Sequence, residues 1–308
     1  MDIFAHIAAI ILPVFAIIAC GYGYACWRGD VVRSDMASVN RVTMEVLVPL
    51  LVFSALASKD FDLRHNGWLI LASVVISLGS ALLAWPLARL CGFDKRTFLP
   101  PMMYNNSGNM GLPLMVLAFG PDSLSAAVAL FTAATFVYFS FGVRLLVHAH
   151  RNSLREGTLR NMFNSPIMIA MIVGVLCALL HISLPQALFS AMKLLGDASI
   201  PIMLFALGVR MIDISLKSWR IGLAGAVTCP LVGLIMAWLL EHVLPLSLGQ
   251  RAQMYLFAAL PPAVLCFMVA EQYRQEPDKV ASIVLMGNLA ALFFVPLGLW
   301  MGLPPQMH

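Results

Sequence analysis

Charged residues are scarce in this chain, and their scarcity decides its broad class. Only 11% of the 308 residues are Asp, Glu, Lys or Arg, whereas 61% are hydrophobic and the mean hydropathy is +0.88. A soluble domain carries about 25% charged residues. The composition therefore leaves no room for a sizeable soluble domain and predicts an all-α polytopic membrane protein.

The signatures of several other protein classes are also missing. The six cysteines stand singly with no CxxC pair, so the sequence shows neither a disulfide framework nor a zinc site. HExxH, GxSxG and phosphate-loop motifs are absent, as is any basic tract with interleaved aromatic residues. We therefore expect no catalytic residues, no cofactor, no metal and no nucleic-acid partner. No basic leader precedes the first apolar run, which we interpret as a mature membrane segment rather than a signal peptide.

Ten apolar runs have the length that a bilayer-spanning helix needs, about 20 residues. Their approximate bounds are 4–26, 38–57, 67–90, 97–119, 124–147, 165–183, 187–210, 219–243, 251–272 and 280–302. Lysines and arginines are concentrated in the linkers after odd-numbered segments, which the positive-inside rule places in the cytoplasm. Both termini are then predicted to face outward, which agrees with an even number of segments, since that places both termini on the same side.

Two of the segments contain the same pattern of residue classes at four-residue spacing, which places each set along one helix face. The second segment reads Arg41-x3-Glu45-x3-Pro49-x3-Phe53, and the seventh reads Lys193-x3-Asp197-x3-Pro201-x3-Phe205. We interpret the chain as two five-segment repeats, residues 1–155 and 156–308. An odd number of segments per repeat gives the two repeats opposite orientations in the membrane, which is an inverted repeat.

The fourth segment contains a stretch that a lipid-facing helix avoids, PPMMYNNSGNMGLPLMVL at residues 100–117. Its polar and helix-breaking residues include Asn105, Asn106, Ser107, Asn109 and Pro113. Irregular backbone is tolerated at membrane depth only where it is buried in protein or lines a cavity. The ninth segment has Pro261-Pro262 at the corresponding place, so both segments are predicted to be broken crossover helices that meet near the midplane.

A half-helix that begins at such a break exposes unpaired N–H groups and a partial positive charge. Two of these N-termini facing one cavity bind an anion without any cationic side chain. We expect Pro113 and Pro261 in the first turns, where a missing N–H is tolerated.

Ser107 or Asn109 is then expected to cap the break, and the asparagine carboxamides to bind the substrate. The other interpretation is that the asparagines only satisfy the backbone that the break leaves unpaired. Further candidate substrate-binding residues are Pro262, Tyr138 of the fifth segment and Asn288 of the tenth.

Three acidic residues fall within or at the end of apolar segments, where acids are costly and commonly functional. For Glu45 and Asp197 one hypothesis is proton coupling or a cation site. The other is local pairing one turn away, Glu45 with Arg41 and Asp197 with Lys193. Glu271 ends the ninth segment, where we expect a solvated end charge, with a gating role as the alternative.

The chain resembles the auxin efflux carrier family. The resemblance covers essentially the whole chain, and the stretches that carry it are ILPVF, VLVPLLVFSAL, YNNSGNMGLPL, LGDASIPIMLFALGVRM and LPPAVLCFMVAEQY. The resemblance implies a fold similar to that of bile acid sodium symporters, with a scaffold of spans 1, 2, 6 and 7. Spans 3–5 and 8–10 would form a transport part that contains the crossing.

The same resemblance implies elevator-type alternating access and a homodimer. Without a long central loop the chain looks like a bacterial member, which implies the inner membrane, periplasmic termini and malonate, malate or a related carboxylate as substrate. Carried over residue by residue, it assigns the substrate region to Asn105 and Asn109, with Pro113 and Pro261 at the crossing.

The chain departs from the family just after the ninth-segment prolines. Where members often carry Ser, Thr or Asn, it reads Ala263-Val264-Leu265-Cys266. This weakens a sodium site and favours proton coupling or movement down a gradient. We therefore expect a secondary transporter for a small organic anion, malonate first. Two alternatives stay open: a carrier of a hydrophobic weak acid, auxin-like or bile-acid-like, and a ligand-binding membrane receptor.

Overall fold

The computed structural model describes residues 3–29, 31–58, 63–147, 166–180, 182, 184–213 and 218–303. Over these residues the backbone is helical almost throughout and forms no strand. The α-helices are α1 (Ile3–Arg28), α2 (Val31–Val42), α3 (Val48–Leu56), α4 (Leu63–Leu90), α5 (Lys95–Met103), α6 (Leu112–Phe119), α7 (Leu124–Val137), α8 (Val143–Val147), α9 (Pro166–Leu179), α10 (Gln186–Arg210), α11 (Trp219–Glu241), α12 (Leu248–Ala258), α13 (Val264–Gln272) and α14 (Pro277–Gly302). Many of the predicted linker charges, at 59–62, 148–165 and 214–217, lie outside the described residues.

The helices follow the apolar segments because a bilayer offers no water to backbone groups, which must bond within their own segment. Among the described residues, six helical stretches are long and apolar enough to cross a membrane. They are Asp35–Leu56, Asn66–Leu90, Pro121–Leu146, Gln186–Arg210, Trp219–Glu241 and Pro277–Gly302. The prediction of an all-α membrane protein is therefore confirmed.

In the described part of the chain, three π-helical turns interrupt the regular helices. They lie at Thr43–Leu47 between α2 and α3, at Ser107–Gly111 before α6, and at Tyr138–Gly142 between α7 and α8. A π-helical turn bonds residues five apart instead of four, so it shifts every later side chain around the helix axis. Side chains that four-residue spacing would align are therefore not aligned across these turns.

The main helix pairs join distant parts of the chain. α1 packs against α10 and α9 against α3, while α4 packs against α7 and α11 against α14. Glycines permit the closest approaches, since a Cβ at Gly21 would lie 2.1 Å from the Phe205 carbonyl oxygen. A Cβ at Gly196 would likewise lie 2.6 Å from the Leu51 Cα. Small residues let membrane helices approach in this way where no hydrophobic effect drives them together.

Two helices are interrupted in the middle of the molecule. The first interruption separates α5 from the turn that starts at Ser107, and the second separates α12 from α13. The apolar residues around both interruptions belong to one large buried cluster, which includes Met110, Leu256 and Leu260. The interruptions are thus surrounded by protein, as irregular backbone at membrane depth requires.

Candidate functional site

The two interrupted helices cross at their breaks and are joined there by their backbones. The Asn106 N–H donates a hydrogen bond to the Pro261 carbonyl at 2.6 Å, and the Ala263 N–H donates one to the Tyr104 carbonyl at 3.0 Å. Between these bonds Asn105 and Pro262 form an isolated antiparallel bridge. Each break therefore supplies hydrogen-bond partners for backbone groups of the other break.

Local chemistry explains why the chain leaves the helical conformation at the second break. Pro261 and Pro262 lack N–H donors, and a residue that precedes a proline is disfavoured in the helical conformation. Tyr104, with φ −133° and ψ 103°, is extended and ends α5. The prolines leave their segment with a free carbonyl, and Asn106 supplies the donor that this carbonyl needs.

The helix after the first break begins with backbone N–H groups that have no hydrogen-bond acceptor within the helix. The first residues to donate back are Met110 and Gly111, both to the Asn106 carbonyl. The N–H groups of Ser107, Gly108 and Asn109 precede them and have no intrahelical acceptor. Gly108 and Asn109 are half-buried, whereas their neighbours on both sides are buried. The free donors of this N-terminus therefore lie beside the accessible part of the crossing.

Of the three asparagines at the first break, Asn109 is the one that is partly accessible. Asn105 and Asn106 are buried, with 8% and 2% of their surface exposed. Among the described residues, no side-chain hydrogen bond commits the Asn109 carboxamide to the protein. Asn109 is accordingly the predicted site residue best placed to meet a molecule from outside the fold.

The capping prediction is wrong, since no side chain caps the first turn after the break. The Ser107 hydroxyl instead donates to the Asn105 carbonyl at 3.4 Å. Pro113 lies buried in the first turn of α6, as predicted, but α6 begins beyond the π-helical turn, whereas the break itself is at residues 104–106. Pro261 does not lie in a first turn, because α13 begins at Val264 after its N-cap Ala263.

The buried asparagines tie the first break to the second half of the chain. The Asn105 amide donates to the Phe257 carbonyl at 2.5 Å, while its Oδ1 is buried with no partner among the described residues. The Asn106 amide donates to Oδ1 of Asn288 at 3.2 Å, and Asn288 donates to the Val284 carbonyl at 2.8 Å. Both asparagines thus join the crossing to the second half of the chain, but only Asn105 bonds a backbone group near a break, as the alternative interpretation expected, whereas Asn106 bonds a side chain.

Tyr138 supports the crossing from the fifth segment. Its ring is fully buried and stacks on Tyr104 with centroids 4.8 Å apart. Its hydroxyl has no hydrogen bond of good geometry among the described residues, with the weakly polar Cys266 thiol beside it. The Tyr104 hydroxyl lies 3.0 Å from the Thr135 hydroxyl. Tyr138 and Asn288 are therefore buried residues that contact Tyr104 and Asn106 of the break.

The acidic candidates lie in three different environments. Asp197 pairs with Lys193 at 2.9 Å, as the local-pairing hypothesis expected, and the two side chains are 40% and 46% exposed. Glu45 is exposed, and no ion pair joins it to Arg41 within the described part of the chain. The π-helical turn at Thr43–Leu47 explains this difference, because it removes the one-turn alignment of positions 41 and 45. Glu271 is exposed at the end of α13, where a solvated charge was expected.

Tyr104 and Cys266 are structural residues of the crossing that motif reading did not select. The Cys266 thiol lies 3.9 Å from the Pro100 carbonyl and 3.8 Å from the Tyr104 carbonyl. Tyr104 stands directly before the asparagine pair, so its position was a usable signal. Cys266 follows the proline pair in an apolar run and gave no signal of its own.

Comparisons with known proteins give the family of the chain. The family described as "Membrane transport protein" matches residues 6–300. An "Uncharacterized transporter" of Methanothermobacter thermautotrophicus is 26% identical over 300 residues, which cover 93% of this chain and 95% of that protein. A "Putative malonate transporter" of Rhizobium meliloti is 25% identical over 312 residues, covering 94% of this chain and 93% of that protein. The resemblance to the auxin efflux carriers is confirmed.

Proposed function

Because the chain belongs to the membrane transport protein family, we propose that it is a secondary transporter for a small organic anion, malonate or a related dicarboxylate. The observation that carries this proposal is the first break, where unused N–H donors lie beside the half-buried Asn109. The similarity to a protein named as a malonate transporter supports the choice of substrate.

Binding would depend on backbone dipoles and amides. The hydrogen-bonding groups described at the crossing are amides, carbonyls, hydroxyls and a thiol, with no charged side chain among them. An unpaired helix N-terminus carries about half a positive elementary charge, which attracts a carboxylate. Asn109 would add a donor from its side chain. Binding without a fixed cation suits a carrier, because the substrate must also be released.

The proposed architecture is ten spans in two inverted repeats. The packing supports it, because equivalent spans of the two repeats make equivalent contacts. The contact of α1 with α10 corresponds to that of α9 with α3, and the contact of α4 with α7 corresponds to that of α11 with α14. Two further contacts agree with spans that alternate in direction. Thr97, beside the linker after span 3, bonds Glu276 in the linker after span 9, and both linkers would lie on the cytoplasmic side. Arg251, beside the linker after span 8, lies 3.4 Å from the Met301 carbonyl near the end of span 10, and both would lie on the periplasmic side.

Transport would follow an elevator-type cycle in the bacterial inner membrane, with both termini in the periplasm. Spans 1, 2, 6 and 7 would form a static scaffold, and spans 3–5 and 8–10 would carry the crossing with its substrate. The strongest contacts support this division, since they lie within each proposed group. Proton coupling or downhill movement is favoured over sodium coupling, because Ala263 to Leu265 present no oxygen-bearing side chain at the second N-terminus.

We also propose that the protein works as a homodimer. Lys193 and Asp197 are exposed near the middle of α10, and Glu45 is exposed near the middle of the second span. Charges that face lipid at such depth are costly. A second copy covering this surface would remove them from lipid, and opposite charges on one face suit a self-complementary two-fold contact.

The direct test is uptake of labelled malonate into proteoliposomes under imposed proton and sodium gradients. We expect uptake by the wild type and a loss of at least about tenfold in Asn109→Ala, the cost of one hydrogen bond to a charged group. Asn40→Ala is the matched control, because Asn40 is a half-buried asparagine of α2 outside the crossing. No uptake under any gradient by correctly folded protein would reject malonate as the substrate.

One observation favours a second candidate, a carrier of a hydrophobic weak acid. The N-terminus of α13 is flanked by Ala263, Val264 and the half-buried Leu265, which are apolar. An acid with one carboxylate and an apolar body would place its carboxylate at Asn109 and its body against these residues. Competition decides between the two, since an aromatic acetate that blocks malonate uptake better than succinate does would favour this candidate.

A further inference from the structure

A polar cluster joins the two broken helices at the ends that lie away from the crossing. It consists of Asp94 and Thr97 at the start of α5 together with Gln275 and Glu276 in the linker after α13, and we call it the polar clamp. The Thr97 hydroxyl donates to Oε2 of Glu276 at 2.6 Å. The Gln275 amide donates to the Thr97 hydroxyl at 3.1 Å and to Oδ2 of Asp94 at 3.2 Å.

Thr97 is the centre of this cluster. It is fully buried, and its hydroxyl acts both as donor and as acceptor between two residues of the other half of the chain. Asp94 also caps α5, because its Oδ1 accepts a hydrogen bond from the Arg96 N–H at 2.9 Å. Lys279 pairs with the other oxygen of Glu276 and holds that carboxylate in place. Each carboxylate of the clamp is therefore held from two sides.

The linker that supplies Gln275 and Glu276 is held in a strained conformation. Arg274 and Glu276 have φ of 52° and 43°, the only positive values for non-glycine residues in the described part of the chain. Glycine would adopt this conformation without strain, but it would bring no carboxylate to Thr97. Strain of this kind persists only where surrounding contacts enforce it.

The clamp completes a frame around two half-helices. α5 and α13 both run from the crossing to the clamp, and at the crossing they are joined by the backbone bonds of Asn106 with Pro261 and of Ala263 with Tyr104. They are thus fixed to each other at both ends. At the opposite side of the molecule, Ser247 and Gln250 at the start of α12 bond each other, and Arg251 pairs with Glu241.

We propose that Thr97, Gln275 and Glu276 are positioning residues that make α5 and α13 one rigid piece. The crossing and its free N–H donors would then move as a unit. The effect on turnover rests on the transport function proposed above, whereas the rigidity of the frame does not. Such a frame excludes a cycle in which α5 and α13 swing apart, and it leaves movement of the whole crossing or opening at the opposite side.

Hydrogen–deuterium exchange of the full chain in lipid nanodiscs tests the frame without any substrate. In Thr97→Val, exchange in residues 273–280 and in α5 should rise roughly tenfold, as expected when a buried hydrogen bond no longer opposes local opening. Thr97→Ser keeps the hydroxyl and should restore the wild-type rate. Thr43→Val is the control, because the hydroxyl of the buried Thr43 bonds the Val39 carbonyl one turn earlier and, among the described residues, no other group. Gln275→Leu is the second test, should Thr97→Val fail to fold.

Initial rates of substrate uptake then test the positioning role. Turnover should fall roughly tenfold in Thr97→Val while KM changes by less than about twofold, because Thr97 does not touch the substrate, and Thr97→Ser should recover it. Unchanged exchange in both Thr97→Val and Gln275→Leu would overturn the clamp. Raised exchange with unchanged turnover would overturn the positioning role. Absence of transport by the wild type would count against the proposed function alone, since the exchange measurement needs no substrate.

Discussion

The Asn106 amide donates to Oδ1 of Asn288 at 3.2 Å, and this bond joins the first break to the last helix of the chain. Both residues are almost fully buried, with 2% and 4% of their surface exposed. A buried amide that loses its partner costs about 1–3 kcal/mol. The pair therefore fixes the position of the break relative to α14.

A double-mutant cycle measures how much this pair contributes. Asn106→Ala and Asn288→Ala should each lower the free energy of unfolding by about 1–3 kcal/mol. The double variant should lose less than the sum of the two, by about 0.5–1.5 kcal/mol, because the first change has already removed the shared bond. Unfolding in mixed micelles of rising dodecyl sulfate content gives the four free energies. Strict additivity would mean that the bond contributes nothing.

Substitution of Gly287 tests how tightly α14 packs on the second break. A Cβ added to Gly287 would lie 2.6 Å from Cδ of Pro262, so Gly287→Ala must displace the proline ring. Overpacking of this kind costs about 1–3 kcal/mol. Gly67→Ala is the matched control, because nothing lies within 4 Å of its added Cβ and alanine favours a helix by about 1 kcal/mol. Melting temperatures should fall for Gly287→Ala and stay level or rise for Gly67→Ala.

The sequence was informative about the first break because its signals are local. Asparagine, glycine and proline within one apolar segment indicate a helix that cannot continue, and the break does lie in that stretch. Its position at Tyr104 to Asn106, rather than at Pro113, depends on backbone bonds to Pro261 and Ala263. Those partners are more than 150 residues away. A proline alone gives no such information, because the first turn of a helix tolerates it.

The pairing of acids could be predicted for one helix and not for the other. Lys193 and Asp197 lie in a regular α-helix, so four-residue spacing brings them together at 2.9 Å. The equivalent prediction for Arg41 and Glu45 is wrong because a π-helical turn falls between them, and the residues Thr43–Leu47 carry no local signal for it. The bond between Asn106 and Asn288 was equally hidden, since it joins residues that only the tertiary fold brings together.

Glu45 and Asp197 should respond differently if uptake is proton-coupled. Asp197 is already held by Lys193, whereas Glu45 has no ion pair with a residue that the structure describes. A carboxylate held in an ion pair is less free to exchange a coupling proton than one without a cationic partner. Glu45→Gln should therefore abolish the stimulation of uptake by an inward proton gradient, and Asp197→Asn should retain it. Equal loss in both variants would contradict this assignment.

The proposed dimer can be tested at Leu194, which is 74% exposed between Lys193 and Asp197. If the two-fold axis passes through this face, residue 194 of each copy lies close to the axis, and Leu194→Cys should form a disulfide-linked dimer on mild oxidation in membranes. Leu82→Cys is the matched control, because Leu82 is 66% exposed on α4, whose exposed face carries large aliphatic residues such as Leu71, Leu78 and Leu83. Both variants are made in a chain whose six cysteines are replaced by alanine or serine.

Non-reducing electrophoresis should show the linked dimer for Leu194→Cys and only monomer for Leu82→Cys. Random collision in the bilayer would link both variants to a similar extent, since both side chains project from the surface of the protein. The mass of the uncrosslinked wild type in nanodiscs gives an independent reading. A monomer mass together with equal linking of the two variants would leave Lys193 and Asp197 facing lipid as a mutual ion pair. Their joint replacement by leucine would then stabilise the fold, because the cost of holding two charges in lipid would be removed.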